Sequence, residues 1–212
     1  MEKRHDASKI VLKNNKQLYH YLNMYYGSQP IARGGLNDHD FYDLDNLLCG
    51  YLKEKCIICE IGSWTGMSAI LIGARAKNLN GKVYAIDSFK SFGNLEHDSR
   101  HYDIQGIMKE SLVIYEVSDF VTVIAKDSVE ASKDFSNEYF DFIFIDANHS
   151  DGAVFNDITS WYPKLKQGGL ICGHDYQHES VTRGVNRFFG EVKIVDNIRE
   201  KSPIWYKLKE KK

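Results

Sequence analysis

The sequence predicts an α/β domain built on a doubly wound, mainly parallel sheet. Three observations carry this. Short β-rich runs recur at 56–61, 82–87, 121–125, 140–145, 169–172, 192–195 and 204–208, each followed by a segment of helical periodicity or a turn signal. The central runs are apolar throughout, with no polar alternation, as expected of strands buried on both faces. The last two runs are separated only by 196–203, too short for a crossover helix, so they should pair antiparallel at one edge.

Length and composition bound the rest. The chain has 212 residues, with 27 Lys+Arg against 29 Asp+Glu, a formal net charge of −2. That suits one domain with an N-terminal extension, divided here into 1–40 (helical extension or lid) and 41–212 (cofactor-binding domain). At 43% hydrophobic and 26% charged residues, global disorder is excluded. The near-neutral balance supplies no bulk cationic field for nucleic acid or an anionic membrane, so neither is expected as a partner. The longest uncharged stretch, 61–74, is broken by Gly62, Gly66 and Gly73 and is too short to span a bilayer. The start of the chain carries no apolar run, so a cytoplasmic protein is expected.

Ahead of the first strand, amphipathic helices are expected at 8–26 and 41–53, joined by a loop over 27–36 that is rich in turn formers. The tyrosines Tyr19, Tyr21, Tyr25 and Tyr26 would form a face docking on the domain or on a second copy in a homodimer. Cys56 and Cys59 have C-x-x-C spacing, but within a strand residues three apart point to opposite faces. Buried thiols are therefore expected there, with no metal or redox pair.

The strongest local signal is Glu60-Ile61-Gly62-Ser63-Trp64-Thr65-Gly66-Met67-Ser68, a strand end, a turn of small residues and a helix start. In doubly wound folds that edge binds ligands, and glycines there let a ligand approach the backbone. The spacing lacks the third glycine of a dinucleotide fingerprint and carries Glu60 two residues before Gly62. A carboxylate there would repel pyrophosphate but could help hold an ammonium group. Asp87 ends the second run, with Ser88 after it, about where an acid can bond both ribose hydroxyls. Asp127-Ser128 ends the third, where Asp127 could accept from an exocyclic adenine amine.

These residues resemble the class I S-adenosylmethionine-dependent methyltransferases. Glu60 to Gly66 looks like their first motif, Asp87 like the ribose-binding acid, and Asp127-Ser128 like the adenine-contacting pair. The resemblance spans about residues 40–208 and is closest to the small O-methyltransferases of catechol and macrolide-sugar type. It implies a Rossmann-like seven-stranded sheet in the order 3-2-1-4-5-7-6 with strand 7 antiparallel. S-adenosylmethionine would be held by Glu60, Gly62, Ser63, Trp64, Thr65, Gly66, Ser68, Asp87, Ser88, Asp127, Ser128 and Asp146.

The fourth and fifth runs end in Asp146 and in His174-Asp175-Tyr176. Two carboxylates and an imidazole converging at neighbouring strand ends could bind a divalent cation. In the metal-dependent enzymes this resembles, acids at these two strand ends hold magnesium, which implies Asp146 and Asp175 as ligands. His174 departs from that pattern and would shift the preference toward softer metals. His149, three residues after Asp146, lies where such enzymes place a catalytic base, and an imidazole suits removal of a hydroxyl proton. The expected activity is methylation of a hydroxyl on a small molecule or glycan, with Asp146 and His149 catalytic. A nicotinamide-dependent oxidoreductase and a non-catalytic cofactor-binding module are the alternatives.

Overall fold

A computed structural model describes residues 36–90, 102–195 and 203–211. Its elements, numbered among those residues, are α1 (Asp38–Tyr51), β1 (Ile57–Ile61), α2 (Met67–Asn78), β2 (Lys82–Asp87), α3 (Ile104–Ile114) and β3 (Val121–Ala125). There follow α4 (Ser128–Ser132), β4 (Phe140–Ile145), α5 (Asp151–Trp161), a 3-10 turn (Tyr162–Lys164), β5 (Leu165–Gly173), α6 (Glu179–Phe189), β6 (Lys193–Ile194) and β7 (Trp205–Leu208). The helix expected at 8–26, with its tyrosine face, and the loop at 27–35 lie outside the described residues.

The seven strands form one sheet in the order β3-β2-β1-β4-β5-β7-β6. The first five run parallel, and β7 is antiparallel to both β5 and β6. The edge pairing read from the short 196–203 connection is therefore present. Apolar side chains on the two faces of the sheet feed two cores. Ile58, Phe142, Phe144 and Cys172 join one, and Cys59, Ile143, Ile145 and Ile171 join the other. Cys56 and Cys59 fall into opposite cores, as strand geometry requires, and both are free thiols. A fully buried Phe such as Phe144 contributes on the order of 1.5–3 kcal/mol relative to exposure.

Several boundaries moved. Helix α1 begins at Asp38 because Asn37 accepts from the N–H groups of His39 and Asp40, while Asp40 accepts from the Asn37 N–H, a reciprocal cap. Strand β5 starts at Leu165, ahead of the expected 169, because Leu165 pairs with Phe140. Strand β6 keeps only two residues. The apolar face of α1 buries Phe41, Leu44 and Leu48 in the first core, so this helix is part of the domain. The carboxyl ends of β1, β2, β3, β4 and β5 all open onto one edge, and the site lies there.

Candidate active site

The turn after β1 is shaped by close backbone approach. Gly62 has φ +90°, and a Cβ there would sit 2.1 Å from the Asp146 carbonyl oxygen. The Gly62 N–H donates to Ile86 O and the Asp146 N–H to Ile61 O, both at 2.8 Å, which locks β1 between its neighbours. Gly66 (φ +94°) opens α2 from the left-handed region. Glu60 does not face the cleft. It is fully buried beneath the turn, its Oε2 accepting from Ser63 Oγ at 2.5 Å. Burial pushes its carboxyl up to about 7, with the Ser63 and Ser68 hydroxyls pulling the other way. Glu60, expected to help hold an ammonium group, thus stands beneath the turn and outside the cleft lining. Ser63, Thr65 and Ser68 are buried with it.

Asp87 organises the opposite lip. Its Oδ2 accepts from the Trp64 N–H at 2.7 Å and its Oδ1 from the Phe89 N–H at 2.6 Å. Trp64 (φ +47°) and Phe89 (φ +53°) both occupy the left-handed region, so this carboxylate holds two strained residues in place. Burial pushes its carboxyl upward, opposed by the backbone N–H groups of Trp64, Phe89 and Ser63. Gly62, Trp64, Asp87, Ser88, Asp127, Ser128, Asp146 and His149 line one cleft of about 580 Å³, within the range of small-ligand sites.

At the β3 end of that cleft, Asp127 is exposed and caps α4 by accepting from the Glu130 N–H at 3.2 Å. Ser128 Oγ accepts from Trp161 Nε1 at 2.9 Å. Asp157 was not singled out from the sequence, yet it is only 5% exposed and lines the cleft. Burial pushes its carboxyl up to about 6, opposed by Ser128.

At the β4 and β5 ends, Asp146, His149 and Asp175 come together, each offering one ligand atom, all within 4.8 Å of one another. His149 Nε2 lies 3.1 Å from Asp175 Oδ2 and 3.5 Å from Asp146 Oδ1. The Asp146 hydrogen bond raises its pKa, partial burial opposes this, and the Asp175 charge adds to the rise. The His178 ring stacks on His149 with centroids 5.9 Å apart.

His174 stands apart from that group. Its Nε2 lies 3.0 Å from Asp40 Oδ2, and its Nδ1 lies 3.3 Å from Asp175 and 3.8 Å from Asp146. Burial lowers its pKa, but the nearby Asp175 and Asp40 carboxylates outweigh that and push it up to about 10. The convergent ligand atoms are those of Asp146, His149 and Asp175, so His149 stands in the group where His174 was expected, and His174 Nε2 is engaged with Asp40. Asp40, His178 and Asp157 escaped the sequence reading. Only Asp40 carried a local signal there, as the third helical residue after Asn37.

Residues 59–176, more than half of the chain, match a family described as "Methyltransferase domain". An uncharacterized protein of Acanthamoeba polyphaga mimivirus is 28% identical over 142 residues, which is 65% of this chain and 59% of that protein. The chain therefore spans under two thirds of that relative. Among solved structures, a SAM-dependent O-methyltransferase of Thermotoga maritima superposes with a TM-score of 0.62 at 14% identity, covering 90% of this chain and 71% of that one. Cofactor-bound Rv0187 from MTB gives 0.65 at 14% identity, over 97% and 94% of the two chains. An rRNA methylase of Streptococcus thermophilus gives 0.60 at 12%, over 83% and 99%. At these identities the likeness is one of fold.

Proposed function

We propose an acceptor class and a chemical role for each site residue on one premise: the chain belongs to the methyltransferase-domain family and is a class I S-adenosylmethionine-dependent methyltransferase. The acceptor is a hydroxyl of a small molecule or glycan. The observation that carries this reading is the His149 imidazole in the wall of the cleft, with carboxylate oxygens of Asp175 and Asp146 at 3.1 and 3.5 Å from its Nε2. Family membership argues against the nicotinamide alternative. The net charge of −2 and the acidic cleft argue against a nucleic acid acceptor, although an rRNA methylase shares the fold.

The cleft fits the cofactor. Gly62 leaves the backbone bare where a Cβ would collide, and Asp87 presents a carboxylate already fixed by two N–H groups. S-adenosylmethionine, when bound, supplies a methyl group activated on a sulfonium. Gly62 and Trp64 would pack against it, and Asp87 would accept from the ribose hydroxyls. With Nε2 facing the Asp175 and Asp146 carboxylates, Nδ1 of His149 would be the lone pair that takes the acceptor hydroxyl proton. His149 would hold that proton while the methyl group passes to the acceptor oxygen. Alignment of the two reactants by the cleft walls supplies the remainder of the acceleration.

Asp146, His149 and Asp175 also form a donor set suited to a divalent cation, with one imidazole among oxygens favouring a transition metal. Such a cation would orient the acceptor oxygen and ease its deprotonation. His149 Nε2 cannot serve both roles at once, so metal dependence decides between them. The test is a screen of hydroxylated acceptors, with rRNA included, for S-adenosylhomocysteine release in EDTA and in Mg²⁺, Mn²⁺ or Zn²⁺. Turnover in EDTA that survives Asp175→Asn would remove the metal. Turnover on rRNA alone would overturn the acceptor class, and cofactor binding without turnover on any acceptor would favour a non-catalytic module.

A further inference from the structure

We infer that Asp40 and His174 are positioning residues for the active site: Asp40 holds the His174 ring, and that ring holds the Asp175 carboxylate where it faces His149. This rests on Asp146, His149 and Asp175 being the acceptor-side group. Asp40 belongs to α1 and lies outside the segment 59–176 that matches the methyltransferase family. His174 directly follows β5, and its N–H donates to Ile145 O at 3.1 Å. That bond fixes where the side chain starts, and Asp40 fixes how the ring is turned. Nε2 lies 3.0 Å from Asp40 Oδ2, with both side chains at most 4% exposed. The imidazole is planar, so a ring pinned at Nε2 presents Nδ1 to the other side, 3.3 Å from Asp175 Oδ2 and 3.8 Å from Asp146 Oδ1. Nδ1 is buried and makes no hydrogen bond among the described residues, and leaving such a group unmatched is costly. The carboxylates it faces are the groups that answer it.

Asp175 needs such a constraint. Its backbone occupies the left-handed region (φ +59°), which a non-glycine residue keeps when its surroundings hold it there. Its Oδ1 is met by exposed groups: Gln177 Nε2 donates to it at 3.0 Å, and His178 Nε2 stands 3.6 Å away. On Oδ2, the His149 side chain is 46% exposed, whereas that of His174 is buried. Water can stand in for an exposed neighbour but not for a buried one, so His174 carries the orientation. The competing role for Asp40 is a plain clamp on α1. That helix already buries Phe41, Leu44 and Leu48, and Asp45 ties it to Arg75 near the far end of α2 with bonds of 2.5 and 2.7 Å. Asp45 is thus a matched control, an acid of the same helix in a pair directed away from the β4 and β5 ends.

Calorimetric titration with Mn²⁺ alone, together with crystal structures of the wild type and Asp40→Asn, tests this. Asp40→Asn should bind Mn²⁺ about 10- to 100-fold more weakly than the wild type, as expected when the partner behind a ligand is lost. Asp45→Asn should stay within about twofold of the wild type, and both variants should keep S-adenosylhomocysteine affinity within the same limit. In the Asp40→Asn crystal, the His174 ring should turn and the Asp175 carboxylate should shift from His149 by more than about 0.5 Å. An Asp175 carboxylate that stays in place overturns the inference, as does an unchanged Mn²⁺ affinity where the wild type binds the ion. Equal losses in Asp40→Asn and Asp45→Asn, or a parallel fall in S-adenosylhomocysteine affinity, overturn it in favour of the clamp. A wild type that does not bind Mn²⁺ removes the metal from the proposed function, and the position of Asp175 in the two crystals then decides this inference by itself. If Asp40→Asn fails to fold, His174→Gln replaces it in both measurements, since an amide presents a donor to one carboxylate and an oxygen to the other.

Discussion

Replacing Asp40 by Asn removes one charge from the deepest ion pair among the described residues, with side chains of His174 and Asp40 only 4% and 3% exposed. The Asn side chain keeps the size and can still take the Asn37 N–H that closes the helix cap, so the change isolates the partner of His174. His174 is pushed from 6.5 to about 10 by its bonds to Asp175 and Asp40 and by the charge of Asp146, against the pull of burial. At about 1.36 kcal/mol per pKa unit, that rise corresponds to roughly 5 kcal/mol shared among the three acids. Neutralising Asp40, the carboxylate hydrogen-bonded to His174, should therefore destabilise the fold by about 2–4 kcal/mol, in the range known for breaking buried pairs.

The pH dependence carries the sharper test. A histidine whose folded pKa lies above its unfolded value contributes stability that is fully present below the unfolded value, near 6.5, and is lost as pH rises through about 10. The deficit of Asp40→Asn should therefore be largest near pH 6 and shrink toward about pH 9.5. Urea unfolding followed by tryptophan fluorescence at both pH values measures it. A deficit under about 1 kcal/mol, or one that stays constant between the two conditions, would refute a charged Asp40–His174 pair.

Three further outcomes follow from the site. Glu60 has its folded pKa raised from 4.5 to about 7 by burial, so its ionisation costs stability as pH climbs through that window. Glu60→Gln should be about 3 kcal/mol more stable than wild type at pH 8, with the gain vanishing near pH 4.5, as read by urea midpoints. Gly62→Ala places a Cβ 2.1 Å from the Asp146 carbonyl at φ +90°, so a loss of about 3 kcal/mol or more is expected in thermal unfolding, with cofactor affinity falling in parallel. His149→Ala should lower kcat by about 10²- to 10⁴-fold while the dissociation constant for S-adenosylhomocysteine stays within about threefold, and an unchanged kcat would remove the base.

What could be read in advance follows from how far each signal reaches along the chain. The strands announced themselves because burial on both faces forces unbroken apolar runs such as Phe142 to Ile145, and the sheet edge followed from them. The acids at strand ends were legible for the same reason: once Ile61, Asp87 and Ile145 are fixed as last strand residues, Gly62, Asp87 and Asp146 must stand at the opening. The fate of Glu60 was not legible, because its neighbours in sequence do not reveal that Ser63 folds back to meet its carboxylate. His174 and Asp40 are separated by 134 positions and belong to elements whose docking has no local signature. The same holds for Asp157, which α5 brings to the cleft wall 29 residues beyond Ser128. Residues that name the chemistry thus sit at predictable strand ends. Those that tune it, by fixing a charge, come from the faces of packed helices, where only the assembled fold shows which side chains meet.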